Sequence, residues 1–112
     1  MNLKNKFGLT EQELNLILAT IAAYSEIEKA YIFGSRAKGN YKTGSDVDIA
    51  IAGESITLDT VSSLYYKLNE ECPLIYFFDI VDYNTIKDKE VKKHIDRIGV
   101  EIFHTQEDVT ST

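Results

Sequence analysis

At 112 residues the chain has the length of one domain, able to bury about 60% of its unfolded surface in a core without staples, and a second domain does not fit. A net charge of −6 and a sequence pI near 4.8 give a surface that repels a nucleic-acid backbone, so direct nucleic-acid binding is not expected. Seven Tyr and five Phe within 44% hydrophobic content exclude disorder, the single Cys72 excludes an intrachain disulfide, and the sequence has no apolar run long enough for a signal peptide or a membrane span, so a cytoplasmic protein is expected.

Taken in order, Thr10 and Glu13 have capping-box spacing and open a helix over 10–24, whose apolar face is Leu14, Ile17, Leu18, Ile21 and Ala22. Ile27 to Phe33 reads as a first strand, ended by Gly34-Ser35, with a short helical turn at Arg36, Ala37 and Lys38 and a glycine-rich loop from Gly39 to Gly44. A second strand covers Asp46 to Ala52. A helix follows over Thr57 to Glu71, stopped by Pro73, beside which Cys72 reads as a packed thiol. Leu74 to Val81 reads as a third strand, Thr85 to Ile98 as a helix capped by Asp82 or Asn84 and ended at Gly99, and Val100 to Phe103 as a last strand. The domain is expected over residues 1–103, with 104–112 as a loose polar tail. This alternation favours a small α/β sheet with helices on one face, the other face being open for a site or a partner.

Chemistry concentrates in Gly34 to Ala52. On the second strand Val47, Ile49 and Ile51 face one way and Asp46 and Asp48 the other. Two carboxylates so close repel each other unless a cation lies between them, and oxygen-only donors suit Mg²⁺, which keeps part of its shell for substrate phosphates. Gly34-Ser35 follows an apolar strand, so amides and a hydroxyl are presented where a triphosphate can be held. Asp79 stands in an apolar strand and is either an exposed edge residue or a third carboxylate brought beside the pair. Arg36 is either a solvated charge or a grip on the triphosphate, and Ser45 a turn cap or a nucleotide contact. His94 and His104 read as surface residues. A calcium loop is excluded because Ala50 and Ile51 follow Asp48, and a Walker A loop because Asn40-Tyr41 stand where Lys-Ser/Thr is required.

Gly34-Ser35, ten residues, then Asp46-Val47-Asp48 and a later Asp79 resemble the polymerase-β-like nucleotidyltransferases, and GSRAKGNYKTGSDVDIAI is most similar to their minimal branch. The resemblance covers about Ala30 to Phe103 and implies a palm-like mixed sheet, phosphate binding by Gly34 and Ser35, and two Mg²⁺ ions held by Asp46, Asp48 and Asp79, with ATP as donor. It further implies the antitoxin of a HEPN/MNT toxin-antitoxin pair, which places AMP on a tyrosine of its HEPN-domain toxin. Two alternatives stay open: a small-molecule nucleotidyltransferase subunit similar to aminoglycoside-modifying enzymes, and a non-catalytic antitoxin acting by occlusion. A self-dimer through an exposed sheet face is also compatible with the sequence.

Overall fold

The computed structural model describes residues 7–105. Helix α1 (Glu11–Ala22) starts at Thr10, whose hydroxyl accepts the Glu13 N–H at 3.1 Å while the Glu13 carboxylate accepts the Thr10 N–H at 2.8 Å. Strand β1 (Lys29–Phe33) leads without a loop into α2 (Gly34–Lys38), and β2 (Val47–Ala52) returns antiparallel to β1. Helix α3 (Leu58–Tyr66) widens into a π-helical turn over Lys67–Glu71, and β3 (Phe78–Asp82) then lies parallel to β2. After a 3₁₀ turn at Tyr83–Thr85 come α4 (Lys89–Ile98) and β4 (Val100–His104). The strands form one mixed four-stranded sheet in the order β3-β2-β1-β4.

The alternation expected along β2 is what divides the core. Val47, Ile49 and Ile51 are fully buried together with Ala30, Ile32, Phe78 and Ile80, against Ile17 and Ile21 of α1 and Leu64 and Leu68 of the α3 segment. Burying a Leu or Ile side chain contributes about 2 kcal/mol each, so this face carries most of the stability. On the other face Ala50 and Phe33 meet Ile95 of α4, with Tyr31, Val81, Tyr83 and Ile86 around them. The class is the expected one, but α4 sits across from α1 and α3, so the second face is partly covered and only its β2–β3 end lies open.

Several boundaries differ from the sequence reading, and three of them have a physical reason in the contacts. Strand β3 begins at Phe78 rather than Leu74, because its partner β2 begins at Val47 and residues before Phe78 have no ladder to join. Helix α4 is capped by Asp88, which accepts the Glu90 N–H at 2.9 Å, while Asp82 accepts from Asn84 and caps the short 3₁₀ turn. The last strand runs one residue past Phe103: His104 pairs with Lys29, and the Thr105 N–H donates to the Glu28 carbonyl at 3.0 Å. The remainder of the expected tail lies outside the described residues. No described helix is long and apolar enough to cross a membrane.

Candidate functional site

The site is assembled where β1, β2 and β3 present their ends at the open part of the second face. Parallel pairing puts Asp48 directly beside Asp79, and antiparallel pairing puts Asp48 opposite Phe33, the residue before the Gly34-Ser35 corner. Partners in register share a face of the sheet, so the two carboxylates point the same way. Asp46 precedes β2 on that same side and is exposed, as is Asp79, whereas Asp48 is half-buried. Burial, then the charges of Asp79 and Asp46, push the Asp48 carboxyl up to about 6 from its ordinary 3.8. Each cause disfavours the ionised form, by desolvation or by like charge.

The corner itself depends on glycine at position 34. Its φ is +75°, and a Cβ there would strike the Asp48 carboxylate. Glycine thus lets the backbone turn in the left-handed region and lets the carboxylate lie against it. Ser35 follows half-buried, its carbonyl accepting the Gly39 N–H at 3.0 Å to close α2. The Gly34 N–H donates to His94 Nε2 at 3.2 Å, and the Phe33 and His94 rings meet edge to face at 6.2 Å. The imidazole therefore carries its proton on Nδ1.

Two residues expected at the nucleotide, Arg36 and Ser45, make contacts within the loop. The Arg36 guanidinium is buried, with Nε and Nη2 donating to the Ser45 carbonyl at 3.1 and 2.9 Å and Nη1 donating to the Phe7 carbonyl at 2.8 Å. It lies over the rings of Tyr41 and Tyr76, at 5.1 and 4.8 Å from their centroids. Three of its five N–H donors thus hold the loop, and the group expected to grip the triphosphate is placed under the loop rather than at the acidic pair. Ser45 acts as a turn cap, its hydroxyl accepting the Lys42 N–H at 2.8 Å.

Conversely, His94 is not the surface residue expected from its Lys- and Glu-rich helix. The signal that identifies it is its place in the sequence stripe Val91, His94, Ile95, Ile98, of which Ile95 is buried against the sheet. Asn69 also went unmarked. Its side chain donates to the Phe78 carbonyl at 3.0 Å and accepts the Phe78 N–H at 2.8 Å, fixing the residue before Asp79.

A family model described as polymerase beta, nucleotidyltransferase matches residues 15–108. The chain belongs to the polymerase-β nucleotidyltransferase family. No curated protein matches it significantly. Among solved structures, this nucleotidyltransferase is similar to one described as a toxin-antitoxin with AMP-PNP, at 24% identity and a TM-score of 0.69 over 85% of this chain and 76% of that one. It is similar to an MntA-HepT toxin-antitoxin structure at 22% identity, with a TM-score of 0.62 over 85% of this chain and 73% of that one. A structure from Shewanella oneidensis aligns at 18% identity, with a TM-score of 0.61 over 90% of this chain and 78% of that one. Likeness at such identity establishes the fold, which is that of the nucleotidyltransferase palm.

A nucleotidyltransferase of this family works with a divalent metal, and the donor set here can be tested against one. Asp46, Asp48 and Asp79 offer carboxylate oxygens alone, the donors of a hard ion. Asp79 and Asp46 both raise the cost of ionising Asp48, a cost that an intervening cation removes. Among the described residues no three His, Cys, Asp or Glu side chains close into a ready ligand group, so these carboxylates are aligned rather than converged. The set fits Mg²⁺ in donor type.

Proposed function

We propose that this chain transfers AMP from ATP to a hydroxyl of a second protein, the tyrosine of a HEPN-domain toxin, and so acts as the antitoxin of a HEPN/MNT pair. The observation that carries the reading is the register of Asp48 with Asp79, one strand over from the Gly34-Ser35 corner. The likeness to toxin-antitoxin structures, one of them with the ATP analogue AMP-PNP, supports the choice of nucleotide and of partner.

Asp46 and Asp48 would hold Mg²⁺ jointly, with Asp79 completing the shell of a second ion. When bound, the metal neutralises triphosphate charge and acidifies the attacking hydroxyl. Ser35 and the α2 amides that follow Gly34, whose own N–H is bonded to His94, hold the terminal phosphates, which aligns the α-phosphorus with the carboxylates. Asp79, exposed on the edge strand, takes the proton of the acceptor hydroxyl. The acceptor oxygen bonds to the α-phosphorus as its bond to the bridging oxygen breaks, and pyrophosphate leaves with both electrons of that bond.

The test is incubation of the purified chain with α-labelled ATP, Mg²⁺ and its co-purified partner, followed by intact mass measurement. The partner is expected to gain the mass of AMP with the wild type and to gain nothing with Asp48→Asn. Transfer by Asp48→Asn at the wild-type rate overturns the site, and label recovered on a small amine or alcohol instead of protein overturns the partner.

A further inference from the structure

The catalytic end of the sheet carries an apolar surface that the core does not use. Along the run entering β3, Leu74, Tyr76, Phe78 and Ile80 pack against the main core, whereas Ile75, Phe77 and Asp79 alternate with them and are exposed. Ile75 is 88% exposed and Phe77 48%. Phe77 lies next to the acidic pair, since its carbonyl accepts the Val47 N–H at 2.9 Å. Tyr65 of α3 meets the Phe77 ring edge to face at 5.9 Å, and the neighbouring Tyr66 is 55% exposed. An apolar strip thus runs round the β3 edge and stops at the carboxylates.

We infer that this strip is the docking surface for the protein that receives the nucleotide, and that the protein lands on it through side chains with a basic rim. The inference rests on the reading that the chain modifies a second protein. An acceptor hydroxyl brought to Asp79 arrives next to Phe77, two residues before it and bonded to Val47 between the acids, with exposed Ile75 two residues further back on the same run. Strand addition at this edge is blocked at Phe78, whose N–H and carbonyl are both taken by Asn69. Charge selects the partner. The strip ends on exposed Asp46 and Asp79, while of the two cations in the loop facing Ile75 Arg36 is buried and Lys42 is exposed. Two copies meeting here would bring acidic borders together on a chain of net charge −6, whereas a basic surface gains from the contact. Apolar anchors inside a charged border are the composition of a protein interface.

The experiment places the photo-crosslinker benzoylphenylalanine at position 77 of the full chain in its host cell, and at position 58 for comparison. Leu58 is 79% exposed and follows the opposite end of β2. One foreign protein is expected to crosslink at 77 and not at 58. That protein, purified, is expected to accept labelled AMP from the wild-type chain. The Ile75→Ser/Phe77→Ser variant should raise its KM about thirtyfold while leaving ATP affinity unchanged, as loss of an interface anchor does. Both positions are exposed, so the variant keeps its core. A crosslink to a second copy of this chain, equal capture at 58, or an unchanged KM in the double variant overturns the docking surface and leaves the transfer reading standing. Failure of the wild type to label any captured protein overturns the transfer reading instead.

Discussion

Replacing Asp48 by asparagine should make the protein more stable at neutral pH while abolishing its chemistry. The carboxyl has its pKa raised on folding, from 3.8 to about 6, so its cost is absent below the unfolded value, where it is protonated in both states, and complete above about 6, where the fold must hold it ionised. That displacement corresponds to about 3 kcal/mol if undiminished. Asp48 is half-buried, and screening by solvent reduces the effect to about 1 kcal/mol. For a chain of this size 1 kcal/mol is about 4 °C in Tm. Thermal unfolding followed by circular dichroism in EDTA should show Asp48→Asn above wild type by about that amount at pH 7.5, with the two coinciding near pH 3.5. Adding Mg²⁺ at pH 7.5 should close the gap by raising the wild type. A variant no more stable than wild type at pH 7.5, or one whose advantage persists at pH 3.5, refutes the electrostatic account.

Three other substitutions probe the supports of the site. Gly34→Ala puts a Cβ into the Asp48 carboxylate at φ +75° and should cost about 2 kcal/mol in chemical denaturation while lowering ATP affinity. Arg36→Lys keeps the charge but cannot reach the Ser45 and Phe7 carbonyls together; it should lose about 2 kcal/mol, with ATP affinity of the folded fraction unchanged by isothermal titration. Asn69→Leu leaves the Phe78 N–H and carbonyl without their partner, and should lower stability by about 2 kcal/mol and speed hydrogen exchange at the Phe78 amide.

The parts of this structure legible beforehand are those encoded by neighbours in sequence. The Thr10–Glu13 box, the alternation of Val47, Ile49 and Ile51 against Asp46 and Asp48, and the stop at Pro73 each express a local rule, and each has its counterpart in the fold. The parts that were not legible depend on contacts across the chain. The start of β3 is set by where β2 begins, and the helix cap expected at Asp82 or Asn84 falls at Asp88, a few residues further along. Arg36 was unreadable because its partners, the carbonyls of Phe7 and Ser45, become neighbours only once the loop has closed. His94 was misjudged because charged neighbours on α4 outweighed its place in the apolar stripe. Asp79 lies between these cases: its isolation in an apolar run marks it, but only strand order brings it to Asp48.

The bracing of the Ser45 carbonyl by Arg36 divides the segment between the glycine corner and the aspartates into parts with unequal freedom to evolve. Tyr41 and Lys42 belong to the brace, against Arg36 and Ser45, so the freedom to change length lies between Lys38 and Asn40. Removing Val47 would be ruinous by contrast, since it would make Asp46 and Asp48 neighbours on opposite faces of the strand and send one of the two acids into the hydrocarbon interior. Spacing in this segment is therefore governed by odd and even at its downstream end and by little more than reach upstream.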